Sequence, residues 1–86
     1  MPWVCQFDKR AEKELLKLGK PDQERVLRYL KRKVTKDPRA FGKALRHEFV
    51  GLWRYRVGNI RLICQIKDGE FTVLVVRVAH RKDVYD

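Results

Sequence analysis

Acidic residues are scarce in this chain. Eleven Asp and Glu stand against twenty-one Lys and Arg in 86 residues, a formal net charge of +10 with a pI near 10.1. So lopsided a balance points to a polyanionic partner, either nucleic acid or an acidic protein. Cysteine is scarce too. Cys5 and Cys64 are far apart and form neither a C-x-x-C redox pair nor a four-ligand zinc set, so two reduced, mostly buried thiols are expected. No apolar run approaches the ~18 residues needed to cross a bilayer, which excludes a membrane protein at this stage. The opening Met1-Pro2-Trp3-Val4 lacks the basic-then-apolar layout of a secretory signal and suggests the cytoplasm. There is no phosphate-binding glycine loop, Ser-His-Asp set or metal-ligand spacing, so no cofactor and no metal are expected. Repeats and linkers are absent. The length fits one core, hence a single domain over residues 1–86, and a 44% hydrophobic fraction is that of a globular protein.

The first half reads as a strand and two helices. Residues 3–7 suit a short strand. Asp8 is a fair N-cap for a helix with Ala11, Leu15 and Leu18 on one face, and Gly19 fits just past its end. Pro21 suits the first position of a second helix, with Asp22 and Glu24 at its positive end. Val26, Leu27, Leu30 and Val34 give that helix an apolar stripe, and Arg25, Arg28, Arg32 and Lys36 lie on another face. Asp37-Pro38 ends it. The short link between the two implies an antiparallel helical hairpin.

The second half switches to period two. Residues 52–57, 60–67 and 70–79 read as strands, with Gly58-Asn59 and Asp68-Gly69 as two-residue hairpin turns. The expected class is α+β: an N-terminal strand, the helical hairpin, then a three-stranded antiparallel meander packed on the helices.

The first turn fixes a register. It pairs Val57 with Ile60, Arg56 with Arg61, Tyr55 with Leu62, Arg54 with Ile63 and Trp53 with Cys64. Side chains alternate across a strand. One face then carries Trp53, Tyr55, Val57, Ile60, Leu62, Cys64 and Ile66 as core. The other carries Arg54, Arg56, Arg61, Ile63, Gln65 and Lys67, and a tight second turn adds Thr72, Leu74, Val76, Val78 and His80. Like charges facing each other across strands destabilise a sheet, so Arg56 opposite Arg61 points to function. Residues 39–67 hold seven basic side chains (Arg39, Lys43, Arg46, Arg54, Arg56, Arg61 and Lys67) against the single acid Glu48 between Arg39 and Arg61. Arginine can grip phosphate oxygens and stabilise charge developing on phosphorus, but it moves no protons at working pH. Proton transfer falls to His80, Tyr85, Glu48 or Asp83.

The hairpin pattern G-x-x-R-x-R-x-G-x-x-R, from Gly51 to Arg61, is followed by the ending H-R-x-x-x-Y, from His80 to Tyr85. With Phe7-Asp8-Lys9-Arg10-Ala11 and Gly42-Lys43-Ala44-Leu45-Arg46, these segments resemble the RelE branch of the RelE/ParE toxin superfamily. The resemblance implies a ribosome-dependent mRNA endonuclease that inhibits translation. Such a toxin cuts A-site mRNA without a metal, by attack of the 2′-hydroxyl on the adjacent phosphate. It implies Arg54, Arg56, Arg61, Arg81 and Tyr85 as catalytic residues, with Tyr85 stacking on a base; the imidazole of His80 joins them, on its own chemistry, as a candidate acid or base. Arg39, Lys43, Arg46, Lys67 and Lys82 would bind RNA and ribosome. Where the family carries lysines this chain carries Arg54 and Arg56. The partners implied are an acidic RelB-like antitoxin, the ribosome and mRNA, with DNA reached only through the antitoxin and no membrane. The rival reading is a ParE-like, non-nuclease inhibitor of DNA gyrase; a third is a non-catalytic RNA-binding module.

Overall fold

The computed structural model describes residues 3–80. Among them the order is β1 (Val4–Phe7), α1 (Lys9–Leu16), α2 (Lys20–Tyr29), a π-helical turn (Leu30–Val34), β2 (Lys43–Ala44), β3 (Trp53–Val57), β4 (Ile60–Lys67) and β5 (Thr72–His80). Asp8 is extended, and its carboxylate accepts the Ala11 N–H at 2.8 Å, a cap worth about 1 kcal/mol. Ala11 and Leu15 bury the inner face of α1. Gly19 departs from expectation. It lies in extended conformation at the N-cap of α2, so α1 ends without a left-handed residue there. Pro21 is the second residue of α2, where a missing N–H costs nothing. Val26, Leu30 and Val34 are buried, but Leu27 is 49% exposed. Tyr29 replaces it against the sheet, edge-on to Tyr55 with centroids 6.4 Å apart.

The five strands run β1-β5-β4-β3-β2. The meander of β3, β4 and β5 is antiparallel as expected; β1 joins it in parallel along β5, and β2 adds a short edge beside β3. All five pairs deduced for the first hairpin are present, from Val57↔Ile60 to Trp53↔Cys64. Gly58 supports that turn with a φ of +60, and the Arg25 guanidinium lies so close that a Cβ there would overlap it. Tyr55, Leu62, Cys64, Val73 and Val75 form the core with the inner faces of the helices. Tyr55 also donates its buried hydroxyl to the Pro38 carbonyl at 2.7 Å.

The second hairpin differs from expectation twice. Lys67 pairs with Thr72, so the connection has four residues, a 3₁₀ turn (Asp68–Glu70) followed by Phe71 in left-handed conformation at φ 48. Two contacts hold this longer loop. Phe71 packs edge-on against Trp3 at 5.5 Å, and both Asp68 oxygens accept from Arg39 at 2.8 and 2.9 Å. Farther along, a bulge lies opposite Ile63 and Cys64. Cys64 pairs with Val75 and Ile63 with Arg77, leaving Val76 as the extra residue. The bulge reverses the faces. Val78 joins the core and His80 pairs with Ile60, while Arg77 and Ala79 align with Ile63 and Arg61.

Candidate nucleic-acid interface

The face away from the helices carries two cross-strand rows. One runs Lys43, Arg54, Ile63, Arg77 over four strands, and the other runs Arg56, Arg61, Ala79. Adjacent strands lie ~4.8 Å apart, so five cations share a surface a few nucleotides wide. The sequence places Arg54, Arg56 and Arg61 there correctly. It misses Arg77, which the bulge turns to this side.

This face is less open than the sequence suggests. Arg54 and Arg61 are 7% and 5% exposed and Ile63 only 1%, while Leu74 and Val76 are half-buried. Ile63 is flanked on both sides by strands. Arg61 folds over its own turn, donating from Nη1 to the carbonyls of Gly58 (3.1 Å) and Ile60 (3.4 Å). Arg56 is exposed. Arg77 donates from Nε to both Glu14 oxygens at 3.1 and 3.3 Å, and the same carboxylate accepts the Val78 N–H at 2.7 Å. Glu14 thereby fastens α1 to the bulge.

The other candidates are scattered. Arg39 is engaged by Asp68 and lies 5.5 Å over the Trp53 ring. Arg39 holds the Asp68 carboxyl below the usual carboxylate range. Lys43 and Arg46 are exposed and Lys67 half-buried. Glu48 is exposed in a short 3₁₀ turn (His47–Phe49). His80 stands at the strand end on the helix side of the sheet, not on the arginine face. Arg81, Lys82, Asp83 and Tyr85 lie outside the described residues.

Neither row contains a His, Asp or Glu; their arginines can hold a phosphate and stabilise added negative charge but cannot carry its protons, and Lys43 at the edge is the one cation of the two rows with a proton to exchange. Burial pushes the Cys5 thiol up to about 11 and the Cys64 thiol well above its ordinary value, so neither is a nucleophile at neutral pH. Among the described residues no three His, Cys, Asp or Glu gather as a metal site, and no helix is long and apolar enough to cross a membrane.

This arrangement has relatives. A family model described as ParE toxin of type II toxin-antitoxin system, parDE, matches residues 5–85. Toxin RelG of Mycobacterium tuberculosis is 34% identical over 85 residues, covering 99% of this chain and 98% of that protein. In the toxin–antitoxin complex RelBE2 of the same organism, a chain superposes with a TM-score of 0.89 at 32% identity, over 94% of this chain and 100% of that one. The isolated E. coli RelE toxin gives a TM-score of 0.75 at 27% identity, over 91% and 83%. A sheet with its arginines on the face opposite the helices, and likeness over nearly the whole length, lead to one conclusion: this chain belongs to the RelE/ParE superfamily and is a toxin of a type II toxin–antitoxin system.

Proposed function

We propose that this toxin is a ribosome-dependent mRNA endonuclease of the RelE type. The observation that carries the reading is the alignment of Arg54, Arg56 and Arg61 on one sheet face, with Arg56 directly across from Arg61. Such a pair costs stability unless an anion lies between its members. In this reading the arginines hold the scissile phosphate of the A-site codon and stabilise the charge it gains as the 2′-hydroxyl attacks. Arg81 adds to that charge stabilisation. Tyr85 stacks on a base, orienting the phosphate for in-line attack, and moves the proton that Arg54, Arg56 and Arg61 cannot. The products are a cyclic 2′,3′-phosphate and a 5′-hydroxyl, and no metal takes part. Arg46, Lys67 and Lys82 contact RNA around the site. An acidic RelB-like antitoxin restrains the toxin, as the RelBE complexes among its structural neighbours suggest. The place of action is the cytoplasm, where ribosomes are.

Primer extension on a message in a translating extract tests this. The unaltered protein should leave codon-spaced cuts. Arg56→Ala should lower the cleavage rate ~10²–10³-fold, with no fall in melting temperature because Arg56 is exposed. Cutting by Arg56→Ala at the unaltered rate would sink the proposal. A second reading comes from the family model's own description as ParE: stalled gyrase–DNA complexes with intact message would replace the nuclease by a gyrase inhibitor.

A further inference from the structure

The arginine face does not end at the sheet. Among the described residues β2 pairs only with Trp53 and Arg54, and no strand follows the outer edge of β3 beyond them. A pocket of about 310 Å³ lies at that edge, lined by Tyr29, Phe41, Lys43, Arg54 and Arg56 among others. Tyr29 also lines a second pocket of about 220 Å³, with Arg28 and Arg32. Those two arginines in turn line a third, of about 480 Å³, with Lys31 and Lys36. Three depressions linked by shared side chains make one continuous cationic band from the sheet over the outside of α2.

That band is built against the local rules of a helix. Residues 25–36 contain six cations and no acid. Arg28 lies one turn from both Lys31 and Arg32, and like charges so placed weaken a helix. Among the described residues only Arg25 has a carboxylate partner here, Asp22 at 3.4 Å. The segment widens into its π turn (Leu30–Val34) within this stretch, a distortion frequent at functional sites. Aromatic faces interleave with the charge. The Lys33 ammonium lies 5.8 Å from the Tyr29 ring and 5.3 Å from the Phe41 ring, and Phe41 is 46% exposed.

We propose that this band is a track for single-stranded RNA, which leaves the arginine face, crosses the outer edge of β3 and runs over α2. It rests on the proposed function only for what lies at its sheet end. Cations with interleaved aromatic rings are the combination that binds a single strand without reading its sequence: phosphates on the cations, bases on the rings. An amphipathic acidic helix needs repeated apolar anchors, whereas Leu27 is the one aliphatic side chain of residues 25–36 that is strongly exposed.

The test is fluorescence anisotropy with a twenty-nucleotide oligouridylate over a range of salt. The track variant is Arg28→Ala/Lys31→Ala/Arg32→Ala. The control is Lys9→Ala/Lys13→Ala/Lys17→Ala, which removes equal charge from exposed positions in and just after α1. Single-strand binding loses about 0.7 of log–log salt slope per phosphate contact, so the track variant should lose about 2 and the control less than about 1. Phe41→Ala should weaken binding at least about fivefold with an unchanged slope, since stacking is not ionic. Far-UV circular dichroism should show the helix intact in the track variant, because alanine favours it. Equal weakening by the two triple variants overturns the track, as does tighter binding of an RNA duplex of equal length. So does unaltered RNA binding by the track variant combined with lost affinity for an acidic antitoxin. Failure of the unaltered protein to cut message, with these slope differences intact, would remove the nuclease reading and leave the track standing.

Discussion

Glu14 is the residue whose replacement tests the most of this structure at once. Its carboxylate accepts the Val78 N–H at 2.7 Å and receives the Arg77 Nε at 3.1 and 3.3 Å. Both side chains are largely buried, 20% and 24% exposed. Glu14→Ala leaves the Val78 donor buried without its acceptor, which costs ~1–3 kcal/mol, and takes the counter-charge from Arg77. The expected loss is about 2–4 kcal/mol, large against the 5–15 kcal/mol of an ordinary domain. At ~4–8 °C per kcal/mol for a domain near this size, the melting temperature should fall by at least ~8 °C. Glu14→Gln keeps an oxygen for Val78 and loses only the charge, so it should cost about 1 kcal/mol. Urea unfolding followed by Trp3 and Trp53 fluorescence separates the two variants. A loss under ~0.5 kcal/mol for Glu14→Ala, or equal losses for both, would refute the claim that Glu14 holds the bulge through hydrogen bonds.

Three further outcomes are expected. Tyr55→Phe removes the buried bond to the Pro38 carbonyl and should lower stability by ~1–2 kcal/mol, read as a shifted urea midpoint with an unchanged slope. Asp68→Asn concerns pH: Arg39 depresses the folded carboxyl, so the stabilisation is present above the ordinary aspartate value and lost as pH falls through the folded one. The small stability gap between Asp68→Asn and the unaltered protein should therefore close in acid, and a gap that widens there would contradict the pair. His80→Gln should cut programmed ribosomes at the normal rate with the same pH profile, since the bulge puts His80 on the far side of the sheet; a flattened pH profile would return it to the mechanism.

Much of this fold is legible in the sequence because local chemistry decides it. Gly58 can take φ +60 in a two-residue loop, and the alternation of apolar and basic residues on either side leaves one register. The Asp8 cap and the Val26, Leu30 and Val34 stripe are legible for the same reason. What escaped was decided by partners distant in the chain. Asp68-Gly69 looks like a tight turn, yet Arg39 and Trp3 hold the longer loop, and neither is near it in sequence. The bulge is hidden, because Val73, Leu74, Val75 and Val76 form an unbroken apolar run with no alternation to interrupt. What holds it includes Glu14, 63 positions from Arg77. The sequence therefore places three arginines on the proper face and His80 on the wrong one. The outer cations of α2 are equally plain in the sequence; their continuity with the sheet depends on where β2 stops.

The parallel pairing of β1 with β5 bears on how the toxin comes into being. Val4 must find Thr72, across 68 positions of chain, and no hairpin can bring them together. Contacts that distant are closed late and slowly. A ribosome makes β1 first, and that strand has nothing to pair with until the last one emerges. The edge left unpaired by β1 is the same edge whose far end Glu14 secures, so neither end of β5 is in place on a partial chain. A nascent chain stalled before residue 72 should show β1 amides exchanging as freely as those of an unfolded peptide. Toxicity, on this topology, begins only after synthesis of the domain is nearly complete, which gives an antitoxin already in the cell time to meet its target as it folds.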